Sequence, residues 1–355
     1  MKERVIKLRK KISEIDIDGI MINNPNNTYY LSGFTGTAAT LLITDTEKVL
    51  ITDFRYQEQA LNQTTNYRVV EHGQPKIKTL KEELKRLEVK KLGFEAKELS
   101  YQQYSYCQKK LAAIELVATK DLVKEIRLIK DAQELLAIEK AVELADQAFE
   151  HILDYIKPGV KEKELSLELE YFMKKQGASD KAFDFIVASG QRGALPHGVA
   201  SDKELVAGEL VTFDLGCTYD NYNSDFTRTV VLGEPTARQK EIYDLVLTAQ
   251  LEALAVIGPS KSGAEVDSIA REIIAKQGYG DNFGHSLGHG VGLEVHEGPR
   301  LAKGVAKKLK TGMVVTVEPG IYVQQWGGVR IEDIVVITEE GARILTQSTK
   351  ELLQI

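Results

Sequence analysis

An α/β protein of two domains is what the sequence predicts, and three observations predict it. Short apolar runs alternate with helical stretches over the first third of the chain. Long charged helices begin near residue 130. Beyond them the sequence repeats itself once, and each copy ends in apolar strands that carry carboxylates.

The first domain is expected over residues 1–129. "DGIMIN" (18–23) reads as a strand, and "AATLLITDTEKVLITD" (38–53) reads as a hairpin turning at Asp45 to Lys48. "NYRVVEH", "KLGFEA" and "IELVATKD" are further strands, with helices expected over 75–88 and 100–112. Around "KDLVKEIRLIKDAQE" (120–134) leucine and isoleucine take the 3.6-residue spacing of long helices.

The second domain is expected over residues 130–355. "IKPGVKEKELSLELEYFMKKQGASDKAF" (156–183) aligns with "IGPSKSGAEVDSIAREIIAKQGYGDNFG" (257–284) at a constant offset, pairing Pro158 with Pro259, Glu164 with Glu265, Gly177 with Gly278 and Asp180 with Asp281. Each copy reads as a helix after a proline turn, ended by a glycine. A glycine-rich stretch with histidine follows in both, "SGQRGALPHG" and "GHGVGLEVHEG". A hairpin with two carboxylates follows each of these.

Those carboxylates are out of place. Asp214 in "VTFDLG", Asp225 in "SDFTRTVV", Glu318 in "TVEPG" and Glu332 in "VRIEDIVV" all sit in apolar strand contexts, where an unpartnered acid is destabilising. In a pseudo-two-fold, Asp214 matches Glu318, Asp225 matches Glu332 and His197 matches His296. Two divalent cations would neutralise the four acids. His289 has no counterpart in the first copy and is the candidate nitrogen ligand. One imidazole among oxygens suits Mn²⁺, Co²⁺, Fe²⁺ or Zn²⁺, and Mn²⁺ is the expected ion. The competing explanation is ion pairing, with Arg228 and Arg330 near enough in sequence to take one carboxylate each. Half of the six histidines, His285, His289 and His296, fall within residues 283–299.

The ordered set Asp214, Asp225, His289, Glu318 and Glu332, with "ALPHG", "HSLGHGVGLEVHEGP", "VEPGIY" and "GVRIED", resembles the M24B-type proline-specific metallopeptidases of the pita-bread fold, Xaa-Pro dipeptidase (prolidase) and aminopeptidase P. "NNPNNTYYLSGFTG" (23–36) and "DFRY" (53–56) resemble that family's creatinase-like N-terminal domain. The resemblance implies a small creatinase-like α/β domain followed by a pseudo-two-fold pita-bread catalytic domain. It implies two divalent ions per chain held by the five ligands, with Asp225 and Glu332 in contact with both. Glu318 would be ligand and proton carrier, and His197 and His296 would be catalytic groups on the substrate side. His285, Tyr322 and Arg330 would brace the ligands from behind. Arg300 would bind the carboxylate of a proline-terminated dipeptide. The substrate would be a proline-containing di- or oligopeptide, and the enzyme a homodimer whose N-terminal domain narrows the active-site entrance. Aminopeptidase P activity on longer Xaa-Pro-Xaa peptides is the alternative, and a non-enzymatic peptide-binding relative a more distant one.

Composition limits the rest. A net charge of −6 over 355 residues argues against nucleic acid as partner. No apolar run is long enough for a bilayer, and the charged N-terminus lacks a signal-peptide core. Cys107 and Cys217 form no disulfide framework. The expected location is the cytoplasm.

Overall fold

Capping residues set where the principal helices begin. Ser100, Asp131, Thr236 and Ser262 each accept a hydrogen bond from the third helical residue's N–H, and that residue's side-chain oxygen accepts from the cap's own N–H. The computed structural model describes residues 1–355 and divides into two units, Met1–Arg127 and Leu128–Ile355.

The first unit runs α1 (Lys2–Glu14), β1 (Gly19–Ile22), α2 (Pro25–Ser32), β2 (Ala39–Thr44), β3 (Lys48–Thr52), α3 (Gln57–Gln63), β4 (Arg68–Glu71), α4 (Lys76–Arg86), β5 (Lys91–Glu95), α5 (Tyr101–Lys110), β6 (Glu115–Thr119) and α6 (Leu122–Arg127). Its six strands form one sheet in the order β4-β3-β2-β1-β5-β6. The β2–β3 hairpin is antiparallel and turns where Glu47 N–H donates to Thr44 Oγ1. In α2, Asn24 caps the start, Pro25 opens the first turn and Gly33 ends it at φ 78°. Tyr30 and Phe34 of that motif are buried core residues.

The stretch 120–134 is not one long helix. Helix α6 stops at Arg127, and Asp131 caps a new start, because its carboxylate takes the N–H groups of Gln133 and Glu134.

The second unit runs α7 (Ala132–Ile152), α8 (Glu162–Lys175), β7 (Asp180–Lys181), β8 (Ile186–Ser189), β9 (Leu210–Leu215), β10 (Cys217–Tyr219), β11 (Tyr222–Asn223), β12 (Phe226–Val231), α9 (Ala237–Val256), α10 (Gly263–Lys276), β13 (Gly288–Gly290), β14 (Glu297–Leu301), β15 (Val314–Val317), β16 (Gly320–Val323), β17 (Gly327–Arg330), β18 (Asp333–Ile337) and β19 (Ala342–Ile344). The repeated helices α8 and α10 are each followed by a glycine in the left-handed region, Gly177 at φ 109° and Gly278 at φ 84°. Antiparallel β9 and β12 enclose the small β10–β11 pair. Likewise β15 and β18 enclose β16–β17, so the second carboxylate hairpin is two nested pairs.

Strand alternation explains both layers. On β9, Val211, Phe213 and Leu215 point into a core with α7 and α8, whose members include Ala141, Phe149 and Leu169. On β15, Val315 and Val317 point into a second core with α9 and α10, including Val246, Val266 and Ile274. The intervening residues, Thr212 and Asp214 on one strand and Thr316 and Glu318 at the other, therefore lie on the faces away from the helices.

Candidate active site

The polar faces of the two halves supply one cluster. Asp225 directly precedes β12, Glu332 directly precedes β18, Glu318 follows β15 and Asp214 is the fifth residue of β9. One oxygen from each of Asp214, Asp225 and Glu332 lies within 4.8 Å of the others. Asp225 and Glu332 are buried at 6% and 1% exposure. His289 brings its Nε2 to 3.5 Å from Asp225 and 3.3 Å from Glu318. Its Nδ1 lies 3.1 Å from the Gly290 carbonyl. A carbonyl only accepts, so Nδ1 carries the proton and Nε2 is left facing the acids.

Burial pushes the Asp225 and Glu332 carboxyls well above the ordinary range, and repulsion among the clustered acids adds to it. Burial also raises Asp214, against the opposing pull of Arg330. Glu318 is raised to about 7, again by burial first.

Arg330 is the one cation inside the cluster, and it pairs with Asp214 rather than with nearby Glu332. Its Nε donates to Thr227 Oγ1 at 3.1 Å, and Thr227 donates to Glu332 Oε2 at 2.6 Å. Arg228 takes none of the four acids. It pairs with buried Asp333 and donates to the Glu332 backbone carbonyl, because β12 residues alternate faces and Arg228 points opposite to Thr227. Ion pairing therefore satisfies one acid of four. Asp214 Oδ1 and Glu332 Oε1 have no hydrogen-bond partner, although buried oxygens ordinarily have one. Unpartnered carboxylate oxygens beside an imidazole nitrogen fit divalent cations.

Behind the acids, Arg330 NH1 donates to Tyr322 Oη at 2.8 Å, and Tyr322 Oη lies 2.9 Å from His285 Nε2. His285 Nδ1 faces the Ser286 carbonyl at 2.8 Å. Burial lowers His285 to about 4, so its ring is neutral near pH 7. Tyr322 then donates to Nε2 and accepts from Arg330, and every hydrogen in the chain has a defined direction. The order runs His285, Tyr322, Arg330, Asp214.

His296 and His197 lie on the open side. The His296 ring is 4.2 Å from the His289 ring. His296 is lowered to about 4, first by loss of solvent and then by His289, His197 and Arg300. His197 is exposed and follows Pro196, whose carbonyl accepts from Arg330 NH1 at 3.3 Å. Arg300 is exposed on β14, where Pro299 and Leu301 are buried. Arg300 stands near enough to His296 to help lower it.

Two supporting residues escaped the sequence reading. Thr227 is two residues after Asp225. Thr316, two before Glu318, accepts from His289 N–H and donates to Glu318 Oε1, both at 3.0 Å. The available signal was spacing, because hydroxyls two residues from a strand carboxylate share its face.

Metallopeptidase family M24 matches residues 137–339, and the creatinase/prolidase N-terminal domain matches residues 4–129. An Xaa-Pro dipeptidase of Pyrococcus furiosus is 45% identical over 353 residues, covering 99% of this chain and 100% of that protein. A solved Xaa-Pro dipeptidase from Bacillus anthracis has a TM-score of 0.97 at 47% identity, covering 100% of this chain and 99% of that one. A solved X-Pro aminopeptidase from Thermotoga maritima has a TM-score of 0.91 at 41% identity, covering 98% of this chain and 100% of that one.

Proposed function

The chain belongs to metallopeptidase family M24 and carries a creatinase/prolidase N-terminal domain, and from that premise we propose that it is an Xaa-Pro dipeptidase. The observation that carries the reading is the buried acid cluster with two unpartnered oxygens and one guanidinium. Asp214, Asp225, His289, Glu318 and Glu332 would hold two divalent ions, Mn²⁺ foremost. Such ions supply Lewis acidity that polarises a carbonyl and activates water.

The protein's own groups do the rest. Glu318, just after β15 with His289 Nε2 3.3 Å away, is the acid that takes a proton and returns it to the leaving proline nitrogen. His197 and His296 face the substrate and donate to the oxygen that gains charge as the carbonyl is attacked. Tyr322 and His285 keep Arg330 on Asp214. Arg300 binds the proline carboxylate. An Xaa-Pro amide lacks an N–H, so recognition through the ring and its carboxylate replaces the backbone pairing that such a bond cannot make.

Residues 1–129 would form the creatinase-like domain and 130–355 the catalytic one, in a homodimer. Both cysteines are free and buried, which supports a cytoplasmic location. The second reading is aminopeptidase P, favoured by the similarity to the Thermotoga protein.

One experiment separates the two readings. Arg300→Ala should slow hydrolysis of Ala-Pro by roughly ten- to a hundredfold, the loss of a charge-assisted bond. It should leave an Ala-Pro amide unchanged. If the wild-type protein cleaves Ala-Pro-Ala as well as Ala-Pro, and Arg300→Ala slows both alike, the aminopeptidase reading replaces the dipeptidase one.

A further inference from the structure

The loop that carries His197 is fastened at both ends to one buried carboxylate. It leaves β8 at Ser189, passes through a short helical turn at Gly190–Ala194 and returns at Val199–Ser201. Glu162, at the start of α8, has no solvent exposure. Its Oε1 accepts from Ser189 N–H at 2.8 Å and Ser189 Oγ at 2.9 Å, on the outgoing stem. Its Oε2 accepts from Ser201 N–H at 3.0 Å and Ser201 Oγ at 2.6 Å, on the returning stem.

Arg192, inside the loop, closes the arrangement. Its Nε donates to Glu162 Oε2 at 2.9 Å, and its NH2 donates to the Val199 carbonyl at 2.6 Å. One guanidinium therefore spans from the anchor to the far limb. A planar fork does this where an ammonium cannot. Beyond Arg192, Gly193 packs against Gly328 so closely that a Cβ on Gly328 would lie 2.1 Å from the Gly193 carbonyl oxygen. The tip, Leu195–Gly198, is held only by its own turn and by Arg330 on the Pro196 carbonyl.

Nothing in the metal-ligand set or its bracing accounts for a wholly buried carboxylate with five donors. Burial alone would raise Glu162, yet the serine donors hold it below its ordinary value, so the charged form is the one the loop is built around. The second half fastens its own histidine loop differently. Asp267 pairs with Arg271 on the same helix, and Arg271 donates to the Phe283 and His285 carbonyls.

We propose that Glu162 and Arg192 form a clasp that sets the position of His197 over the acid cluster, and that they are positioning residues for the reaction. The inference rests on His197 facing the substrate, as argued above. It predicts that Arg192 acts on turnover only through His197.

A double-mutant cycle tests this, with kcat and KM for Ala-Pro, bound metal and hydrogen exchange as readouts. Arg192 is partly exposed, so Arg192→Ala is the primary variant and Glu162→Gln the second. Arg192→Ala should lower kcat by roughly ten- to a hundredfold, the range a misplaced catalytic group produces. Arg192→Lys should restore little of it. Metal content should stay at the wild-type level, and the hydrogen-bonded amides of the 194–199 loop, Leu195, Gly198 and Val199, should exchange faster. In a His197→Ala background, adding Arg192→Ala should change kcat less than about twofold, since coupled residues are not additive. If the two effects multiply instead, the clasp does not act through His197 and the proposal fails. Unchanged exchange at those three amides in both Arg192→Ala and Glu162→Gln also overturns it, whether or not the protein cleaves Ala-Pro. A failure of the dipeptidase reading is seen separately, as absence of Ala-Pro hydrolysis by the wild-type protein.

Discussion

The two halves of the second unit share a strand layout but hold their carboxylates by different means. The first half contributes aspartates from β9 and the lead into β12. The second contributes glutamates from the end of β15 and the lead into β18, with His289 as an addition. Asp214 has a guanidinium against it. Asp225 has no guanidinium paired with it: burial raises it first, Glu332, Asp214 and Glu318 add to that, Arg330 opposes them without pairing, and the His289 ring stands 3.5 Å away. The supports also cross over. Arg330 of the second half holds Asp214 of the first, and Thr227 of the first holds Glu332 of the second. A site at the seam of a repeat is thus braced by each half for the other, and neither half would be complete alone.

The most damaging test of that asymmetry is Asp225→Asn. With no cation paired to it, Asp225 would rely on the proposed ions for neutralisation. The substitution should remove about half or more of the bound metal, as loss of a charged ligand does, and abolish measurable hydrolysis. Asp214→Asn, whose partner Arg330 would still be present, gives the comparison. Elemental analysis of both proteins decides the point, and full metal occupancy in Asp225→Asn would remove it from the ligand set.

Next in size is Glu318→Gln, which keeps the shape of the second half's strand-end acid but removes its proton chemistry. Turnover should fall by about 10² or more, the range for loss of an acid/base group, with metal content measured in the same sample. A variant with normal metals and near-normal turnover would show that Glu318 carries no proton.

The smallest effect concerns stability without metal. A carboxyl raised by folding binds its proton more tightly in the native state than in the unfolded one. Stability from such a group is therefore full at low pH and declines as pH rises through its window. For Glu318 that window runs from 4.5 to about 7, and Asp225 and Glu332 act in the same direction. The chelated protein should melt at progressively lower temperature from pH 5 to pH 7, by a few degrees on the scale of about 1 kcal/mol. The metal-loaded protein should not follow. Parallel melting curves for the two forms across that range would refute the reading of an uncompensated acid cluster.

Much of this molecule was open to a reading of its residues. The hairpin at 38–53, the helices near 75–88 and 100–112 and the repeated helices α8 and α10 follow from local spacing and punctuation. The carboxylates could be singled out because aspartate and glutamate are anomalous in apolar strands, and an anomaly is visible without a fold. The break at Leu128–Lys130 was less visible, since helical spacing continues across it and only the Asp131 cap marks the new start.

What the sequence determined by itself was the chemistry: which acids need compensation, and the histidines and arginines available to face them. The tertiary structure decided who faces whom. Arg330 lies two residues from Glu332 yet pairs with Asp214, 116 residues away, and Thr227 reaches Glu332 across 105. Nearness along the chain favours Glu332 for Arg330 and one of the four acids for Arg228. Strand alternation and the register between halves overrule it, because a side chain can pair only with what its face of the strand presents.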